Sequence, residues 1–123
     1  MKALLLVGLG GFFGSISRYG ISLFFVKENL VKFPYSTLLT NVLGCFLIGL
    51  FIGLAQRQTW FSQEWFLFLI VGFCGGFTTF STFANENLML LQQSNYIGFF
   101  SYSAMSFILG LLAVLGGLTL IKI

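Results

Sequence analysis

The chain has no histidine, no aspartate and a single proline, and its whole acidic inventory is three glutamates, against six lysines and arginines. Without histidine or aspartate there is little from which to assemble a metal-ligand cluster or a nucleophile–base pair, which argues against an enzyme. The two cysteines, Cys45 and Cys74, both fall inside apolar runs, so no disulfide framework is expected and they read as small apolar side chains. Charged residues make up only 7% of the chain while 58% is hydrophobic and 17 residues are phenylalanine, a surface that a soluble domain of 123 residues cannot cover. A formal charge of +3 is spread too thinly to hold nucleic acid. These scarcities leave one class, an integral membrane protein.

What is present is apolar length. Four runs, at residues 3–26, 33–55, 65–91 and 96–121, each reach the roughly 20 residues that a helix needs to cross a bilayer. The fold expected is all-α: a single transmembrane domain over residues 1–123 with short connections, so that consecutive helices are antiparallel neighbours. Met1-Lys2 ahead of an apolar run has the flavour of a leader. Gly10, Gly11 and Gly14 then lead into Arg18 without a cleavage site, and a retained first helix is expected. With four spans, Lys2, Arg57 and Lys122 share one membrane face and Lys27 and Lys32 the other. Three cations against two is almost no positive-inside bias, which permits insertion in both orientations.

The third run is the most informative. Gly-Phe-Cys-Gly-Gly-Phe-Thr-Thr-Phe-Ser-Thr-Phe at 72–83 puts Gly75 and Gly76 at its centre, followed by Thr78, Thr79, Ser81 and Thr82. Glycine weakens a helix and hydroxyls offer backbone groups other partners, so a helix break is expected at the two glycines. At membrane depth the freed amides and carbonyls must face protein, water or an ion. Phe80 and Phe83 share a face of the helix that resumes. They are packing residues, or they turn the positive edges of their rings toward an anion. Neutral donors dominate the remaining polar inventory: Asn41, Thr79, Ser81, Thr82, Tyr102 and Ser106. Such a track suits a small anion better than a cation. Carbonyls at the break itself offer a separate cation site.

Other motifs have two readings each. Glycine pairs four apart, at 10 and 14, 49 and 53, and 72 and 76, allow close helix approach. Arg18 either snorkels to the interface or stands at the mouth of a polar cavity, attracting anions or pairing with Glu86. Glu86 is interfacial, or it gates, carries a proton or balances Arg18. Asn41, on the same helix face as Thr37, either bonds a neighbouring helix or donates to an anion.

Three motifs together carry a resemblance: Gly-Gly-x-x-Gly-x-x-x-Arg-Tyr at 10–19, Thr-Leu-x-x-Asn-x-x-Gly at 37–44, and the 72–83 stretch. In order, spacing and layout the chain resembles the small bacterial fluoride channels known as Fluc or CrcB proteins, over nearly its whole length. The resemblance implies a multi-pass protein of the bacterial cytoplasmic (inner) membrane, surrounded by lipid, that assembles as an antiparallel, dual-topology homodimer. Each dimer would hold two fluoride pathways, exporting by passive permeation the fluoride that enters acidified cells as hydrogen fluoride. Phe80 and Phe83 would line the pathway, Asn41 would orient or donate to fluoride, and Tyr102 and Ser106 would continue the polar track. The backbone carbonyls of Gly75 and Thr78, from both subunits, would hold a structural sodium ion on the dimer axis. Ser36, Thr40 and Gly110 depart from the family pattern, with glycine common at the first position and an aliphatic residue at the second.

Two competing functions are distinguishable from the residues. A proton-coupled drug exporter of this size wants a carboxylate in the first span, where this chain has Arg18 and no acid. A non-transporting assembly protein has no need of a polar break.

Overall fold

The computed structural model describes residues 1–25 and 33–122. Val26, at the end of the first expected span, and Lys27 and Lys32, which carry half of the charge comparison, lie outside the described residues. Four helical spans are long and apolar enough to cross a membrane: Lys2–Phe24, Tyr35–Arg57, Gln63–Gln92 and Tyr96–Lys122. The first two are helices α1 and α2. The third consists of two helices, α3 over residues 63–77 and α4 over Phe80–Gln92, and the last is α5, Tyr96–Lys122.

The helices associate in two seams that join alternate spans, not the consecutive ones expected, α1 along α3 and α2 along α5, with α4 lying against α5. Lipid offers no hydrophobic drive for helix pairing, so association depends on how closely the backbones approach. Glycine supplies that closeness in both seams. A Cβ at Gly14 would collide with Phe73 O and stand 2.9 Å from Phe77 N; one at Gly72 would lie 2.9 Å from Gly10 Cα. In the other seam a Cβ at Gly49 would strike Val114 O, and one at Gly117 would strike Phe46 O. The α1 contact falls on an unusual part of α3, since Phe66–Cys74 is wound as a π-helix.

Helix ends have identifiable causes. Ser94 takes a left-handed φ of 59° in the tight turn after α4, and Asn95 Oδ1 accepts from Gly98 N–H at 2.9 Å to cap the start of α5. Arg57 donates through Nη1 to Ile121 O (2.9 Å), tying the C-terminal end of α2 to that of α5. Lys2 and Glu64 form an exposed ion pair (2.9 Å) across the opening of the α1–α3 seam.

Within the third span the backbone is extended at Thr78 (φ −94°, ψ 158°) and Thr79 (φ −151°, ψ 127°). Gly75 and Gly76 themselves stay helical, Gly75 at φ −62°, ψ −38°. The irregular residues are thus threonines that follow the glycines. Gly76 has a different duty: a Cβ there would come within 2.7 Å of Gly11 O, so it serves the close approach of α1.

Candidate functional site

Two extended residues inside an apolar span leave backbone groups that need partners. The chain supplies them from three elements. Asn41 on α2 makes a reciprocal pair with Thr79: its Oδ1 accepts from Thr79 N–H (3.1 Å) and its Nδ2 donates to Thr79 O (3.3 Å). The pattern fixes the amide orientation, since only the carbonyl oxygen can meet the N–H. Thr79 Oγ1 then caps α4 by accepting from Thr82 N–H at 3.2 Å, and its hydroxyl network extends to Ser81 and Thr82 Oγ1, both at 3.2 Å.

The C-terminal end of α3 is closed differently. Cys74 O accepts twice, from Thr78 N–H (3.0 Å) and from Thr78 Oγ1 (2.9 Å). Arg18 reaches from α1 and donates through Nε to Gly76 O at 3.2 Å. A cation at the negative end of a helix is favourably placed. Among the described residues Arg18 makes no ion pair with Glu86; that pairing gives way to a backbone contact that spacing did not suggest.

Glu86 is half-buried and accepts at Oε1 from Tyr102 O–H (3.0 Å); the Thr37 side chain also hydrogen-bonds it. Tyr102 is completely buried, its ring centroid 5.0 Å from that of Phe83 and 5.6 Å from that of Phe33. One residue further on each helix, Ser103 donates to Asn87 Oδ1 (3.3 Å), so α4 and α5 are held together by polar pairs as well as rings.

Most of the site residues fall into two hollows that share Thr79. One is a groove of about 530 Å³ lined by Asn41, Thr78, Thr79, Phe80, Phe83 and Ser106, with Cys45 and Phe107 at its sides. Phe80 is 78% exposed in the subunit, 5.9 Å from the ring of Phe83, and Ser106 Oγ is buried with no hydrogen-bond partner among the described residues. The other hollow, about 460 Å³, is lined by Arg18, Thr37, Thr40, Thr79, Thr82 and Glu86, together with hydroxyls of α1 and Ser36. Ser81 is exposed beside Thr79. Tyr102 lines neither hollow and stands behind Phe83 and Glu86. Thr37 and Asn41, expected on one face, serve different hollows. Gly110 is buried, and a Cβ there would lie 3.4 Å from Cys45 Sγ.

Sequence reasoning missed the hydroxyl lining of the second hollow, and a signal for it existed. Ser15, Tyr19 and Ser22 on α1, and Ser36, Thr37 and Thr40 on α2, recur at three- and four-residue steps within otherwise apolar helices.

The chain is similar over nearly its whole length to proteins that carry the name fluoride-specific ion channel FluC. The one from Flavobacterium psychrophilum is 45% identical, covering 99% of this chain and 98% of its own. That of Azobacteroides pseudotrichonymphae is 43% identical over 95% of this chain and 94% of its own. That of Bacteroides fragilis is 46% identical over 95% and 94%. Residues 5–118 match the family described as CrcB-like protein, Camphor Resistance (CrcB). With a match of that extent on a multi-pass helical chain, the protein belongs to the CrcB-like family.

Proposed function

We propose that this protein is a fluoride-selective channel, not an enzyme, working as an antiparallel, dual-topology homodimer in the bacterial inner membrane. The observation that carries the reading is the near-full-length similarity to proteins named for fluoride conduction. The geometry supplies a mechanism. Fluoride holds its water tightly, so a permeable path must replace that shell with close, fixed donors. The hollow beside Arg18 gathers the ion by charge and offers hydroxyls. Thr79, shared by both hollows, hands it toward the groove, where the N-terminus of α4 presents first-turn amides and a positive helix end. The edges of Phe80 and Phe83 and the Ser106 hydroxyl, without a hydrogen-bond partner among the described residues, continue the route. Glu86, in the hollow beside Arg18, keeps Tyr102 oriented by accepting its hydroxyl.

Each subunit contributes one such route, giving two in the dimer. Supporting assembly with a second copy, Phe80 is left bare on the single subunit and a Cβ at Gly75 meets nothing within 4 Å. A structural sodium ion fits the donor set at the break. Because Asn41 takes the Thr79 N–H, Gly75 O loses its usual helical donor, and Thr78 O lies on extended backbone. Neutral carbonyl oxygens are hard donors suited to sodium. Bound there, the ion would balance the carbonyl end of α3 and tie two copies together.

The test is efflux from proteoliposomes loaded with fluoride or chloride, followed with ion-selective electrodes. Fluoride should leave rapidly and passively while chloride is retained; equal loss of both, or of neither, overturns the reading.

A further inference from the structure

Thr40 is the one residue of α2 whose hydroxyl the fold buries and leaves without employment. Its side chain is only 1% exposed, and Oγ1 has no hydrogen-bond partner among the described residues. A threonine inside a helix ordinarily satisfies its hydroxyl against the carbonyl three or four residues back. Thr40 does not. It borders the hollow that holds Arg18, Thr37, Thr79, Thr82 and Glu86. The neighbouring groups are differently placed: Thr79 Oγ1 is engaged by Thr82 N–H, Arg18 Nε by Gly76 O, and Glu86 by Tyr102.

We propose that Thr40 is an ion-coordinating residue: its hydroxyl donates to a small, desolvated anion, fluoride, at the floor of this hollow, forming a station ahead of Thr79. The assignment rests on the channel reading above and adds a specific donor to it. Three features favour an anion. An O–H is a donor toward a negative ion without a carboxylate's charge. The Arg18 guanidinium lines the same hollow, and the positive end of α4 begins beside Thr79. The Glu86 carboxylate, which would oppose an anion, is engaged by the hydrogen bonds of Tyr102 and Thr37.

The experiment compares wild type, Thr40→Val and Thr40→Ser as purified dimers, by fluoride and chloride efflux per correctly assembled protein and by melting temperature with and without sodium fluoride, sodium chloride serving as control. Valine keeps the shape and removes the donor. Thr40→Val should lower fluoride flux about tenfold, the equivalent of one hydrogen bond to a charged group. It should melt no lower than wild type without fluoride, since an unpaired buried hydroxyl has been removed, and should gain less protection from added fluoride. Thr40→Ser should restore flux to within about twofold, as one hydroxyl replaces another. Wild-type flux and fluoride protection in Thr40→Val would overturn the assignment. So would a variant that melts lower and loses flux only in proportion to lost assembly, which marks a packing residue. If wild type itself passes no fluoride, the channel reading fails, and fluoride protection that depends on Thr40 still decides whether the ion binds here.

Discussion

The α1–α3 and α2–α5 seams are built by the same device, glycines pressed against facing backbone, yet only the first runs into irregular chain. α2 and α5 stay helical throughout, through Gly44, Gly49, Gly53, Gly110, Gly116 and Gly117. α3 remains helical through Gly72, Gly75 and Gly76 as well, and leaves the helix only at Thr78 and Thr79. Glycine therefore permits close approach in this protein without interrupting a helix. The interruption coincides with competing partners for the backbone: Asn41 takes both polar groups of Thr79, and the Thr79 hydroxyl starts a new helix.

The strongest way to break this comparison is to put side chains where backbones touch. Gly14→Leu and Gly49→Leu each drive a side chain into a facing carbonyl that cannot retreat. Each should cost about 3 kcal/mol or more and abolish a monodisperse peak in size-exclusion chromatography. If both variants assemble normally, the seams are looser than described.

Asn41→Leu should come next. It removes two hydrogen bonds and leaves both Thr79 groups without them, a loss of about 1–3 kcal/mol for each unsatisfied group. Thermal stability should fall and fluoride flux should drop by more than about tenfold. Gly76→Ala, by contrast, meets Gly11 O at 2.7 Å and should damage packing more than it alters the Thr79 pair. Should Asn41→Leu leave both stability and flux intact, the extended residues need no clamp and the contrast between the seams fails.

Phe80→Ile and Phe83→Ile separate the ring edge from apolar bulk. Assembly should persist, at a cost below about 1.5 kcal/mol, while flux per dimer falls. Normal conduction in both would leave the rings as packing alone.

Gly75 sharpens the contrast further, because a Cβ there meets nothing within the subunit. Gly75→Ala should hold or raise helix content, worth about 1 kcal/mol in propensity. Gly75→Leu should lower the dimer fraction, as read by cross-linking, if a second copy lies against this face. An unchanged dimer fraction places the interface elsewhere. The smallest effect belongs to Glu64→Gln: the exposed pair with Lys2 is worth at most about 1 kcal/mol, and the melting temperature should barely move.

Much of the candidate site was legible because membrane burial makes each polar residue conspicuous. In a chain with so few charges, Arg18, Asn41, Glu86 and the hydroxyls of 78–82 stand out, and the structure brings Asn41, Phe80, Phe83 and Ser106 to one groove and Arg18, Thr82 and Glu86 to one hollow. The partners were not legible. Asn41 was read as a bond to a neighbouring helix or a donor to an anion, and it pairs with the backbone of one residue, Thr79. The sequence allows Arg18 the interface or the mouth of a polar cavity, facing anions or Glu86; it lines a hollow and meets a carbonyl freed where α3 ends. Tyr102, expected along the polar track, is buried behind it, because its ring fills the space between Phe83 and Phe33.

What the sequence alone determined is class, span count and the inventory of groups. Apolar run length and the scarcity of charge leave a four-span helical bundle as the solution in lipid, where backbone groups must be satisfied internally. Tertiary structure decided where the third span loses its helix and which hydroxyls are left over. Both outcomes depend on hydrogen bonds between residues far apart in the chain, such as Asn41 with Thr79 and Arg18 with Gly76. Local propensity carries no information about such partners: at Gly75 and Gly76 it pointed to a break, yet both residues stay helical and only Gly76 fits closely against α1.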